Sequence, residues 1–181
     1  MEVGYADKLA ILRSFSKVRF DVNVIDHFCS YNLDFCPVAS SSSNMFKYVF
    51  LPADIPISVP KEMTKFKCLI LIEREVGNDY RNEVSEVLVK AGCLYALAWG
   101  LNCSGWDDSV DWAFLGHYDY GEYPEEKFVM TTWHDNETLE ETVNFARHCT
   151  KYSDVKLDDI LVLDFAKQER GVFVEDLYLS M

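Results

Sequence analysis

The chain has no Cys-x-x-Cys pair, no glycine-rich phosphate fingerprint, no surplus of basic residues and no apolar run long enough to cross a bilayer. Each absence closes off a class of function. Cys29, Cys36, Cys68, Cys93, Cys103 and Cys149 are scattered, so neither a disulfide framework nor a zinc knuckle is legible. The opening Met1-Glu2-Val3-Gly4-Tyr5-Ala6-Asp7 lacks the basic then apolar layout of a signal peptide, and a reducing cytoplasm is the expected setting. No stretch approaches the roughly 20 apolar residues of a spanning helix, so no membrane partner is expected. With 17 basic against 30 acidic residues the net charge is −13. That balance disfavours a nucleic-acid partner, whose phosphates call for cations, and suits a basic protein partner or plain solubility. Glu73-Arg74-Glu75-Val76-Gly77-Asn78 holds a single glycine, and Trp99-Gly100-Leu101-Asn102-Cys103-Ser104-Gly105 matches neither G-x-G-x-x-G nor the P-loop. Dinucleotide and ATP binding are therefore disfavoured, and no cofactor is expected.

What is present is apolar material in a regular order. In 181 residues, 49% are hydrophobic and 14% aromatic, enough for one domain of 1–181 with a full core. Its centre is Lys67-Cys68-Leu69-Ile70-Leu71-Ile72-Glu73, five consecutive apolar residues bounded by charge, the pattern of a strand covered on both faces. A helix follows over 79–91, with Asn78 as its candidate N-cap, an apolar stripe of Tyr80, Val84, Val87, Leu88 and Ala91, and Gly92 as its stop. Cys93 to Trp99 is a second apolar strand. Ser104-Gly105-Trp106-Asp107 has the spacing of a capping box opening a helix near 107–116. Phe128 to Trp133 reads as a third strand, Thr138-Leu139-Glu140-Glu141 as a second capping box, and Ile160 to Phe165 as a fourth strand. The tail Gly171 to Leu179 reads as a fifth strand at a sheet edge. This alternation over 65–165 predicts a three-layer α/β fold, a mostly parallel sheet with helices on both faces.

The N-terminal extension, 1–60, is less regular. A helix is expected over 5–16 and an alternating edge strand over 18–24, followed by a mobile serine loop near 40–44. Lys47 to Leu51 is a further strand candidate. Pro52, Pro56 and Pro60 make 52–66 an irregular lead-in to the central strand.

Chemistry in such folds gathers outside the carboxyl ends of the strands. Those ends supply Glu73, Trp99, Cys103, Trp106, Asp107, Asp108, Trp133, His134 and Asp135, with Asp164 after the fourth strand. Cys103, beside a helix start, is a candidate thiolate with His134 as base. Glu73, Asp107, Asp108, His134, Asp135 and Asp164 have the chemistry of a divalent-cation set, although Asp107 and Asp108 equally suit a helix's first turn, and no metal is assigned. If the central strand lies between the second and third, Cys103 and His134 are two strand spacings apart and Glu73 becomes the partner of His134; that separated order is the expectation.

The segments Ala98-Trp99-Gly100-Leu101-Asn102-Cys103-Ser104-Gly105-Trp106-Asp107-Asp108-Ser109-Val110-Asp111-Trp112 and Phe128-Val129-Met130-Thr131-Thr132-Trp133-His134-Asp135-Asn136-Glu137 resemble an uncharacterised bacterial α/β domain family. The resemblance covers roughly 65–165. That family has no assigned activity, so the resemblance implies a shared fold and rim. Two functions stay open: a binding or interaction protein using the Trp, carboxylate and His rim on a basic partner, or a small hydrolase or transferase acting on a nucleoside-like or other small ligand there.

Overall fold

The structure, a computed structural model, describes residues 44–152 and 155–181. The helix expected over 5–16, the strand over 18–24, the serine loop and Cys29 and Cys36 lie outside the described residues. Five strands form one sheet: β1 (Phe46–Phe50), β2 (Phe66–Ile72), β3 (Cys93–Gly100), β4 (Met130–His134) and β5 (Asp159–Phe165). They stand in the order β1-β5-β2-β3-β4 with every pairing parallel. β2 is buried at all seven positions: Cys68 to Ile72 as their apolar run predicts, and Lys67 in addition, although the sequence reads it as the charged boundary of that run.

Among the described residues four α-helices cover the sheet: α1 (Asn78–Ala91), α2 (Cys103–His117), α3 (Leu139–His148) and α4 (Gly171–Ser180). The chain steps from β2 through β3 to β4 with α1 and α2 on one face. Tyr80 and Trp106, from those two helices, both pack on Phe165, with ring centroids 6.3 and 5.2 Å away. It then recrosses on the opposite face through α3 and enters between β1 and β2 as β5. Right-handed crossovers run in opposite directions must leave their helices on opposite faces, which is what makes three layers. On that second face Phe145 of α3 meets His134 and Tyr178 of α4 meets Phe46.

Several local expectations shift. The sequence places the second and third expected strands on either side of the central one; in the structure β3 and β4 are neighbours, with Trp99 opposite His134. Gly77, not Asn78, is the N-cap of α1. The Ser104–Asp107 capping box does not form, because α2 begins at Cys103 behind a left-handed Asn102. That earlier start follows from Gly100: at φ 98° a Cβ would stand 2.2 Å from the Ile72 carbonyl oxygen, so only glycine lets the turn close against β2. At Gly105 a Cβ would meet Arg81 Nη1 at 2.6 Å, so a larger residue there requires the guanidinium to move aside. The Thr138 capping box forms as expected, with Glu141 N–H donating to Thr138 Oγ1 at 3.2 Å and Thr138 N–H to Glu141 Oε2 at 2.7 Å. The tail is helix α4 rather than an edge strand. Val174, Leu177 and Tyr178 turn inward at i, i+3 and i+4 while Val172, Phe173 and Leu179 stay exposed, so the 3.6 period prevails over the β-branched run. The edge beside β5 belongs to β1.

Candidate functional site

At the carboxyl edge, strand order reverses between β5 and β2, the position where open α/β sheets offer a crevice to ligand. Here it is filled by the chain's own residues. Asp164, fully buried, accepts from Arg170 Nε at 2.8 Å and Nη2 at 3.1 Å, and from the Tyr48 hydroxyl at 2.8 Å. Arg170 Nη1 reaches Glu73 at 2.6 Å, and the Arg170 N–H donates to Tyr48 Oη at 3.2 Å. Burial, with Asp164 as acceptor, pushes the Tyr48 hydroxyl up to about 12, so it remains a donor through the neutral range. Glu73 thus serves Arg170, not His134. Arg74 crosses the same end: its Nε donates to the Leu51 carbonyl at 3.1 Å, its Nη1 pairs with Asp54 at 2.8 Å, and its guanidinium lies over the Phe165 ring.

Two strands away His134, 2% exposed, is held at both ring nitrogens. Nδ1 lies 2.8 Å from Glu137 Oε2 and Nε2 3.2 Å from Thr132 Oγ1. A carboxylate only accepts, so Nδ1 carries a proton and, in the singly protonated ring, Nε2 accepts from the threonine. Trp99 Nε1 donates to the Glu137 carbonyl at 2.8 Å, so this chain ties the β4–α3 turn to β3. Thr132 and Glu137 are not legible as partners in the sequence, although both lie within the quoted motif; Thr132 shares the strand face of His134 by its period of two.

Cys103 comes close to His134, but to its backbone. Burial raises the Cys103 thiol, and the His134 and Ser104 N–H groups pull against that without reversing it. At 2% exposure it is a buried thiol rather than the thiolate its helix-start position suggested. Iodoacetamide should therefore modify Cys103 slowly in the native protein at neutral pH; fast, selective labelling abolished by His134→Ala would restore the thiol–imidazole pair.

The rim tryptophans divide. Trp106 is 1% exposed and belongs to the core, whereas Trp99 and Trp133 are half-buried. Among the acids, Asp108 and Asp135 are exposed and Asp107 is half-buried. Asp111, not singled out from the sequence, joins them one helical turn beyond Asp107. Its carboxylate accepts from Thr131 Oγ1 at 3.3 Å on the edge strand β4. Burial pushes it up to about 7, and Asp107 and Asp108 add to the rise against the threonine's opposing pull. The i, i+4 spacing to Asp107 was the signal that could have found it. The acids and His134 named together by the sequence are thus split between Arg170, Glu137 and the α2 face. Among the described residues no three His, Cys, Asp or Glu side chains are placed to hold one metal ion.

Fold and edge together define the class: a doubly wound, all-parallel α/β domain whose reversal crevice is closed by an internal ion pair and whose exposed carboxyl edge is acidic. The chain belongs to the family described as Domain of unknown function (DUF7684), whose family model matches residues 46–181. The match takes in β1 and α4, beyond the 65–165 span of the motif resemblance. Neither the curated proteins nor the solved structures yield a match. No helix among the described residues is long and apolar enough to cross a membrane.

Proposed function

We propose that the domain is a non-catalytic binding module that uses its acidic carboxyl rim to dock a cationic protein segment. The observation that carries this reading is the pairing pattern of the rim. Groups with catalytic chemistry, His134, Asp164 and the Cys103 thiol, are buried, and the first two are consumed by internal partners. The exposed groups are acids: Glu75, Asp79, Asp108 and Asp135. Carboxylates gathered on one edge raise the local potential that draws a basic partner and fixes its orientation. A cytoplasmic setting belongs to the same reading, supported by free thiols at Cys68, Cys93, Cys103 and Cys149.

A lysine- and arginine-rich peptide titrated at low salt should bind, and more weakly as salt is added. The triple reversal Glu75→Lys, Asp108→Lys, Asp135→Lys should lower affinity by about tenfold or more, equivalent to about 1.4 kcal/mol. Reversal of the exposed acids Glu140, Glu175 and Asp176, on α3 and α4, is the control. Equal losses in the two triples would mean diffuse attraction and defeat the rim assignment, as would no binding at all. The hydrolase or transferase reading has one observation in its favour, the carboxylate–imidazole–hydroxyl order of Glu137, His134 and Thr132. Ester turnover that disappears in Thr132→Val would favour it instead.

A further inference from the structure

The opposite, amino edge of the sheet carries a cavity of about 490 Å³, within the range of small-ligand sites. We propose that it binds an organic anion, a carboxylate or phosphate ester with an apolar body. Its floor is the start of β2 and β5, at Lys67 and Ile160. Its walls are the last turns of α3 and α4, at Arg147 and Tyr178, and the segment after α3, at Lys151 and Lys156.

Charge is the first argument. In a chain of net charge −13, four lining side chains are cationic, Lys67, Arg147, Lys151 and Lys156, against the single carboxylate of Asp158. Asp158 pairs with Lys156, 2.8 Å away, and also acts on Lys67, so one carboxylate faces four cations and the lining keeps a surplus of positive charge. Lys151 and Lys156 are exposed, so the positive charge begins at the mouth and leads inward.

Lys67 is the second argument. It is only 3% exposed, and its Nζ donates to the Ala146 carbonyl at 2.6 Å and to Thr150 Oγ1 at 3.2 Å. An ammonium has three N–H donors, so two are used here. Burial pulls its pKa down to about 8, with Arg147 and Lys156 adding to that effect and Asp158 opposing it. A lysine placed only to close the end of α3 would account for those two bonds, one to a backbone carbonyl and one to the Thr150 hydroxyl. It would not account for the approach of a second cation: Arg147, whose Nη1 donates to the Tyr178 carbonyl, lies over the same Tyr178 ring as Lys67, each 5.5 Å from its centroid. Cations brought together on one aromatic ring repel one another, and an anion between them relieves that repulsion. The apolar lining residues Phe46, Leu157 and Ile160 then accept the body of the ligand while the cations hold its head.

Phenyl phosphate, benzoate and the neutral benzyl alcohol are suitable probes on the full chain, read by thermal unfolding and calorimetry at ionic strength fixed with chloride. Either anion should raise the Tm saturably, because a ligand of the native state stabilises it, while benzyl alcohol should not. The preferred anion identifies the head group: phenyl phosphate over benzoate assigns a phosphate ester, and the reverse a carboxylate. Lys151→Glu with Lys156→Glu changes exposed side chains, one of them paired with Asp158, so the unliganded Tm should fall only slightly, as for loss of an exposed ion pair, while anion binding weakens by tenfold or more. Lys67→Met should abolish binding wherever it folds. Benzyl alcohol binding as well as the anions, an anion shift surviving the double reversal, or no shift with either anion would each overturn the site.

Discussion

Arg170→Met should lower the unfolding free energy by about 3–5 kcal/mol, the range for breaking a buried ion pair from one side. Asp164 has no exposure to water, and Arg170 supplies two of the three side-chain donors to its oxygens. Without the guanidinium the carboxylate keeps one hydroxyl bond in a site too dry to hold it charged. Urea unfolding of three variants separates the contributions. Glu73→Gln breaks only the outer limb, where the carboxylate side chain is 39% exposed, and should change stability by less than about 1 kcal/mol. Arg170→Met combined with Asp164→Leu should recover most of the loss, since apolar replacement of both partners removes the uncompensated charge. A single Arg170→Met no worse than Glu73→Gln would show that the clasp is a surface pair, and the closure of the reversal crevice would lose its energetic basis.

That clasp also marks where the sequence is legible and where it is not. Leu69 and Leu71 announce a strand covered on both faces because burial needs no partner to be named. The Thr138 capping box and Gly92 are equally local, and each stands where expected. Strand order is a different kind of information. Nothing within Met130–His134 says whether its neighbour is β2 or β3; that depends on the direction of two crossovers. Placing β2 between β3 and β4 brings Glu73 toward His134, whereas the real order gives Glu73 to Arg170 and His134 to Glu137. Arg170 is hidden because the segment after it reads as a strand: Val172-Phe173-Val174 is β-branched and aromatic, and only the inward set of Val174, Leu177 and Tyr178 reveals the helix. Trp106 misleads for a related reason. A tryptophan beside a strand end is as able to pack inward on Phe165 as to face a ligand, and the sequence does not carry the helix phase that decides it.

Asp111→Asn should raise the unfolding free energy by about 2–4 kcal/mol near pH 8 and change it little below about pH 4. Asp111 titrates at about 7 in the folded protein, against an ordinary aspartate value of 3.8. The native state therefore holds the proton more tightly than the unfolded chain. Its stabilising contribution is complete below about pH 3.8 and is lost as pH rises through about 7, at up to about 1.4 kcal/mol per pH unit. The distance between those two pH values sets the upper figure, and the side chain's remaining contact with water reduces it. Asparagine keeps the shape and can still accept from Thr131, but carries no charge to repel Asp107 and Asp108. Urea unfolding of variant and parent between about pH 4 and pH 8 should give curves that converge at the acid end; a constant offset would mean that packing, not titration, is responsible. The same group links stability to the proposed docking. A cationic segment favours the ionised carboxyl, so near pH 6 its binding should release a proton, measurable as a dependence of the calorimetric heat on the buffer's ionisation enthalpy. In Asp111→Asn that dependence should vanish while the peptide still binds through Asp108 and Asp135. Proton release that persists in the variant would assign the linkage to another group and detach Asp111 from the rim.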